Sequence, residues 1–282
     1  MRIAVGIAHA AFLEERRRTL RRLLDQLPGA HVSVSEKREH ASVWAKRLWE
    51  WAEAEDADAT ILLNDDVTVC PQLVEIVAAM VTAVPDETIS LHTSLPVALS
   101  LAAAGERWVR CYWLTGPGYV LPRGAPRRLL DWLARAPTSL VRRTNEDAVG
   151  IYEAWSRQKP IWGVIPALVE HDTSVPSTLG YDKHPLRTSC IPWTLPPFEG
   201  APLTDPSFWK PAGEPVLLEN PWLSRDAMSR TERLCRFGSS LCCLCLENPG
   251  TIGSQTSDAM ICLNCIVNAV GFIARVAADK SQ

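Results

Sequence analysis

Over residues 1 to 183, short apolar runs alternate with helical patterns, and this alternation restricts the fold more than any other feature. Arg2–Ala8, His31–Ser35, Ala59–Leu63, Thr88–Leu91, Arg107–Leu114 and Ile161–Val169 read as strands. Leu13–Leu27, Ala41–Ala54, the segment from Pro71, Pro122–Ala136 and Glu146–Gln158 read as helices. In Ala41–Ala54 the expected inward face carries Trp44, Leu48 and Trp51. Such alternation predicts an α/β domain on a mostly parallel sheet. Residues 184 to 229 break the pattern. Nine of the 21 prolines fall within 184–222, and proline removes a backbone donor and fixes φ, so neither a helix nor a central strand persists there. Trp193, Phe198, Phe208, Trp209 and Trp222 make the stretch too aromatic for a free linker. It reads as a strap across the first domain. Residues 230–282 form a third zone, rich in cysteine.

Lys plus Arg is 29 against 32 for Asp plus Glu, a net charge of -3, which excludes a uniformly basic nucleic-acid binder and leaves room for a local basic patch. The longest apolar stretch, around Leu73–Val84, is too short to span a bilayer, so no membrane partner is expected. The N-terminus runs straight into charged sequence, unlike a signal peptide. The expected compartment is a reducing one, the cytoplasm, where clustered cysteines bind metal more often than they pair.

Ligands of open α/β sheets bind beyond the carboxyl ends of the strands. Asp65 and Asp66 stand there, after Ala59–Leu63 and Asn64. Adjacent carboxylates repel unless a cation or hydrogen-bond donors offset the repulsion. A divalent cation with oxygen ligands would do so and would hold phosphates on its far side; a turn capping the helix at Pro71 is the plainer alternative. In both cases Asp66 is expected as a strand-end group rather than a core residue. Thr144-Asn145-Glu146-Asp147 opens a helix, where carboxylates serve as caps or as functional groups. Glu170-His171-Asp172 places an imidazole at another strand end.

Four motifs in order resemble the type A glycosyltransferase fold family over roughly residues 1–183: ILLNDDV at 61–67, GPGYVLPRG at 116–124, NEDAVGIYEAW at 145–155 and PALVEHDTSVPSTLG at 166–180. The resemblance implies a Rossmann-like, mostly parallel sheet and a metal-dependent transfer of sugar from a nucleotide-sugar donor, with inversion. It implies Mn²⁺ or Mg²⁺ on Asp66, assisted by Asp65, with His171 as a late metal or diphosphate ligand. Asp147 corresponds to the catalytic base, beside Glu146. Asn64 stands where the family's D-x-D motif begins with aspartate, which leaves ribose recognition there open. A divalent cation stabilises a departing nucleoside diphosphate, and a carboxylate that takes the acceptor's proton speeds its attack.

Arg123, Arg127, Arg128, Arg135, Arg142 and Arg143 face a single acid, Asp131, within 123–143. In the family layout this segment borders the acceptor cleft, so a DNA acceptor or a solvated helix face are the two readings. Arg16, Arg17, Arg18, Arg21 and Arg22 form a second run, for donor phosphate or for solvent. A cytoplasmic enzyme of this kind with a zinc finger is similar to virus-encoded enzymes that glycosylate hydroxymethylated DNA bases, acting in the host cytoplasm. A cell-envelope glycan or protein acceptor, and a non-catalytic assembly module, are the alternatives.

Cys242-x-x-Cys245 and Cys262-x-x-Cys265, 16 residues apart, have the spacing of a structural tetrahedral Zn²⁺ site. The second pair opens ICLNCIVNAVGFIARVAAD, as in a treble-clef finger. The segment resembles the zinc-binding domain of the unfoldase ClpX, which implies dimerisation and docking. Its balanced charge and the helix residues Ile266, Val267, Val270, Ile273 and Val276 suit apolar contact with protein, such as a homodimer through the finger.

Overall fold

The computed structural model describes residues 1–39, 41–94, 97–111, 117–135, 152, 157, 159–178, 189, 191–195, 198–218, 252–254 and 257–261. The chain divides into two compact units, Met1–Leu218 and Glu219–Gln282.

The first unit is a mixed α/β domain. Its strands and helices run β1 (Ile3–Ala10), α1 (Arg16–Gln26), β2 (His31–Ser35), α2 (Ala41–Glu55), β3 (Ala59–Asn64), β4 (Val67–Val69), α3 (Leu73–Ala83), β5 (Ile89–Ser90), α4 (Val97–Ala103), β6 (Trp108–Cys111), β7 (Gly118–Pro122), α5 (Ala125–Leu133), β8 (Ile161–Val164), β9 (Val169–His171) and β10 (Leu217–Leu218). An eight-stranded sheet has the order β10-β6-β8-β5-β7-β3-β1-β2. Four of its seven neighbouring pairs are parallel; β6, β7 and β10 run against the other five strands. β4 and β9 form a separate antiparallel ribbon.

Side chains alternate between two covered faces, which is why β3 reads as an unbroken apolar run. Ile61 and Leu63 join Leu23 of α1 and Leu73, Ile76, Val77 and Met80 of α3 on one face. Leu62 joins Ala45, Leu48 and Trp49 of α2 and Ala125 and Leu129 of α5 on the other. The deep stripe of α2 is therefore Ala45, Leu48, Trp49 and Ala52, rather than Trp44, Leu48 and Trp51. Trp49 Nε1 donates to the Tyr119 hydroxyl at 3.1 Å, while Trp51 stacks on His31 with ring centroids 4.6 Å apart.

Described residues of the proline-rich stretch pack into this unit. Phe198 and Trp209 are buried; Trp108 Nε1 donates to the Trp209 carbonyl at 2.6 Å, and Trp209 Nε1 to the Leu203 carbonyl at 2.6 Å. The Arg107 guanidinium lies 5.5 Å from the Phe198 ring centroid and 4.6 Å from that of Phe208, and burial lowers its pKa. Described residues of the second unit form a hairpin, β11 (Ile252–Ser254) with β12 (Ser257–Ile261). Among the described residues no helix is long and apolar enough to cross a membrane.

Candidate active site at the carboxyl edge of the sheet

Strands β1 and β3 run parallel in a register that pairs Ala8 with Asn64, so His9, still within β1 and paired with Val34 of β2, stands beside Asp65, the first residue past β3. The antiparallel β4–β9 ribbon sets Val67 opposite His171, and the Asp172 amide donates to the Asp66 carbonyl at 2.7 Å. Two motifs far apart in sequence thereby meet at one sheet edge. His171 Nδ1 lies 3.5 Å from Asp66 Oδ2. That nitrogen is shielded from solvent and has no hydrogen-bond partner.

A side chain from α1 completes the group. Arg16, 3% exposed, reaches the Asp65 carboxylate with one terminal nitrogen. With the other it reaches Asp66 Oδ2 at 2.9 Å and the Pro176 carbonyl at 2.8 Å. The second oxygen of Asp65 receives the Ala10 amide at 2.9 Å and lies 2.7 Å from His9 Nδ1. Asp65 and Asp66 are 1% and 4% exposed. Two buried carboxylates and one guanidinium leave a formal charge of -1 with neutral histidines. Donors and an internal cation offset the repulsion between the aspartates.

Neither aspartate caps the following helix: α3 begins at Leu73, and its cap residue Gln72 makes no side-chain capping bond. Asp66 is not a free strand-end group but a buried partner of Arg16. Arg22 of α1 pairs with Asp172. Burial pushes the Asp172 carboxyl up, but hydrogen bonds from the Ser174 hydroxyl and amide and from Arg22 outweigh it and hold its pKa below the usual value. Behind the edge, His92 is buried; its Nδ1 donates to the Val169 carbonyl at 2.9 Å, which fixes its tautomer when neutral. The His92 and His171 rings meet edge to face, with centroids 6.0 Å apart.

A divalent cation fits Asp66 and His171 as donors. An oxygen and a nitrogen 3.5 Å apart can share one ion of the usual ligand distances. At Asp66 a cation would share Oδ2 with Arg16 or displace it, whereas at Asp65 chain donors stand against both oxygens. Among the described residues no group of three His, Cys, Asp or Glu side chains forms a metal cage.

Asn64 ends β3, and its amide donates to the Pro117 carbonyl at 2.8 Å. This brings the start of the Gly116–Gly124 motif to the same edge. The end of that motif lies elsewhere. β7 is antiparallel to β3 and pairs Pro122 with Ala59, so Arg123 is level with Asp58 and lies roughly 23 Å along the sheet from Asp65. Arg123 binds Asp58 at 3.0 Å and Asp56 at 3.5 Å; Arg127 binds Asp131 at 3.2 Å; Arg128 shares the first turn of α5. The structure does not bring these three arginines to the carboxylates. Glu146, Asp147, Arg142, Arg143, Cys242, Cys245, Cys262 and Cys265 lie outside the described residues.

A cleft of about 850 Å³ flanks the first half of β1, beside Ile3, Val5, His31 and Trp51. It holds none of the residues of the four motifs. No family profile matches the chain, and no curated protein matches it in sequence. Among solved structures it is similar to A197 from STIV, at 13% identity and a TM-score of 0.38, over 60% of this chain and 84% of that one. It is also similar to a glycosyltransferase involved in the glycosylation of the major capsid of PBCV-1, at 15% identity and a TM-score of 0.38, over 66% of this chain and 99% of that one.

Proposed function

We propose that this protein is a nucleotide-sugar-dependent, inverting glycosyltransferase. The observation that carries the reading is the meeting of Asp66 with His171, whose Nδ1 is buried and unsatisfied, at the edge where an α/β sheet receives ligands. The order of the four sequence motifs supports it. Asp66 and His171 would hold Mn²⁺ or Mg²⁺, which when bound would offset the charge developing on the leaving diphosphate. Arg16 joins Asp66 to Asp65, while Asp65 and His9 fix Arg16. Asp147 takes the proton of the acceptor hydroxyl as its oxygen bonds to the anomeric carbon and the bond from that carbon to the diphosphate breaks. Four-cysteine zinc binding by the second unit is part of the same proposal, as a structural element.

The test is donor turnover with Mn²⁺ across a panel of UDP-, GDP- and TDP-sugars. One donor is expected to be hydrolysed or transferred, and Asp147→Asn should keep its affinity while lowering turnover by on the order of 10²-fold or more. No metal-dependent binding of any donor would overturn the reading.

For the acceptor we propose a hydroxyl carried on DNA, a hydroxymethylated base. With Arg123 and Arg127 paired to acids at the far edge, this rests on Arg142 and Arg143. Each lost phosphate contact lowers the salt dependence of binding by a slope of about 0.9. In a salt titration of duplex binding, Arg142→Ala with Arg143→Ala should flatten the slope. Arg127→Ala with Arg128→Ala, and a chain ending at Leu218, should leave it nearly unchanged. If only the truncation loses binding, the zinc unit is the nucleic-acid reader. Absence of binding by every form would move the acceptor to a cell-envelope glycan or a protein.

A further inference from the structure

Arg16 lies between the two carboxylates and holds the Asp66 oxygen that a cation shared with His171 would need. Its terminal nitrogen donates to Asp66 Oδ2, the same oxygen that faces His171. Asp65, enclosed by Ala10, His9 and Arg16 itself, keeps the guanidinium there. Nε and the nitrogen that reaches Asp66 also donate to the Pro176 carbonyl, at 3.3 and 2.8 Å.

We propose that Arg16 is a positioning residue that makes divalent-cation binding at Asp66 conditional on the donor diphosphate. The proposal rests on the glycosyltransferase reading above. Without an anion, Arg16 competes for the Asp66 oxygen and its charge repels a second cation nearby. A diphosphate at the edge offers the guanidinium a new acceptor suited to its fork, which frees Asp66 Oδ2. Cation and nucleotide then bind with positive coupling, and the coupling is the same whichever binds first. The site keeps its shape in the absence of metal because the chain supplies its own counter-charge.

The experiment measures Mn²⁺ binding to the full chain by the loss of the free-ion electron paramagnetic resonance signal. UDP, GDP and TDP affinities are measured separately with and without Mn²⁺. Wild-type protein should bind Mn²⁺ weakly alone, and one nucleotide should bind at least tenfold more tightly when Mn²⁺ is present. Arg16→Gln should bind Mn²⁺ alone about tenfold more tightly and lose most of the coupling. Arg16→Gln leaves two buried aspartates facing each other, so Arg16→Gln combined with Asp65→Asn is the second variant. It carries the wild-type local charge of -1, and tighter Mn²⁺ binding in it reports release of the Asp66 oxygen rather than a change of net charge. Weaker Mn²⁺ binding or unchanged coupling in the double variant overturns the role of Arg16 while leaving the glycosyltransferase reading intact. If wild-type protein binds neither Mn²⁺ nor nucleotide, both fall together.

Discussion

Asp66→Asn should abolish Mn²⁺-dependent donor binding, a loss of at least 10²-fold in affinity, while the chain stays folded. The choice of asparagine follows from the burial of this residue. Asp66 is 4% exposed and accepts from Arg16 at 2.9 Å. Asparagine keeps the volume and one oxygen for the guanidinium, and removes the charge that a hard cation requires. Alanine would leave Arg16 short of a partner, and breaking a buried pair in this way costs about 3–5 kcal/mol. Asp66→Ala should therefore show both a lowered melting temperature and lost donor binding. The two variants, compared by calorimetry with donor and by thermal unfolding, separate the ligand role from the structural one. Retained Mn²⁺-dependent donor affinity in Asp66→Asn would sink the metal assignment.

That distinction was not legible in the sequence. The run Asn64-Asp65-Asp66 after an apolar strand marks the functional edge, and β3 ends within one residue of its expected limit. His171 was legible too, as the end of a late strand. What covers the carboxylates was not, because Arg16 stands in a run of three arginines that reads as a donor-phosphate contact or a solvated face. The available signal was spacing: Arg16, Thr19 and Leu23 lie at i, i+3 and i+7, and all three are buried. Composition marks a charge run, but only the helical phase shows which arginine turns inward. His9 carried still less signal, since its role depends on the register of β1 against β3.

The fold was legible where a strand or helix carries a long periodic pattern. β1, α1, β2, α2 and β3 fall within a few residues of expectation. Short elements fixed by tertiary contact were not. Gly118–Pro122, inside the second motif, is not among the strands expected from the sequence and is a central strand, β7, with all five residues buried. A side chain at Gly118 would place its Cβ 2.9 Å from a Leu63 methyl, which explains a glycine in that strand. Ile161–Val169 reads as one strand and forms two: β8 in the main sheet, and β9, which leaves it to pair with β4. This departure is what carries His171 to Asp66, so the least legible part of the fold builds the site. The reversed direction of β7 separates Arg123, Arg127 and Arg128 from the carboxylates, a consequence of topology that spacing along the chain does not contain.

Removal of zinc should unfold the second unit and spare the first. The four cysteines proposed as ligands bracket the hairpin: Cys242 and Cys245 precede β11, and Cys262 directly follows β12. A unit of this size is marginal on its core alone, whereas structural Zn²⁺ in such fingers contributes roughly 10–16 kcal/mol of apparent binding free energy at neutral pH. Hydrogen exchange reads the two units separately. With one Zn²⁺ per chain, the amides that pair Ile252 with Ile261 should be protected. Chelation, or Cys245→Ser with Cys262→Ser, should bring them to the exchange rate of an open chain. The β1–β3 amides, in a unit with its own buried core, should keep their protection. If the apolar sequence after Cys262 joins two copies, the same treatment should convert a dimer to monomer in sedimentation. Hairpin protection that survives chelation, in protein that carries no zinc, would show that the unit holds together by packing and would remove the structural role given to the cysteines.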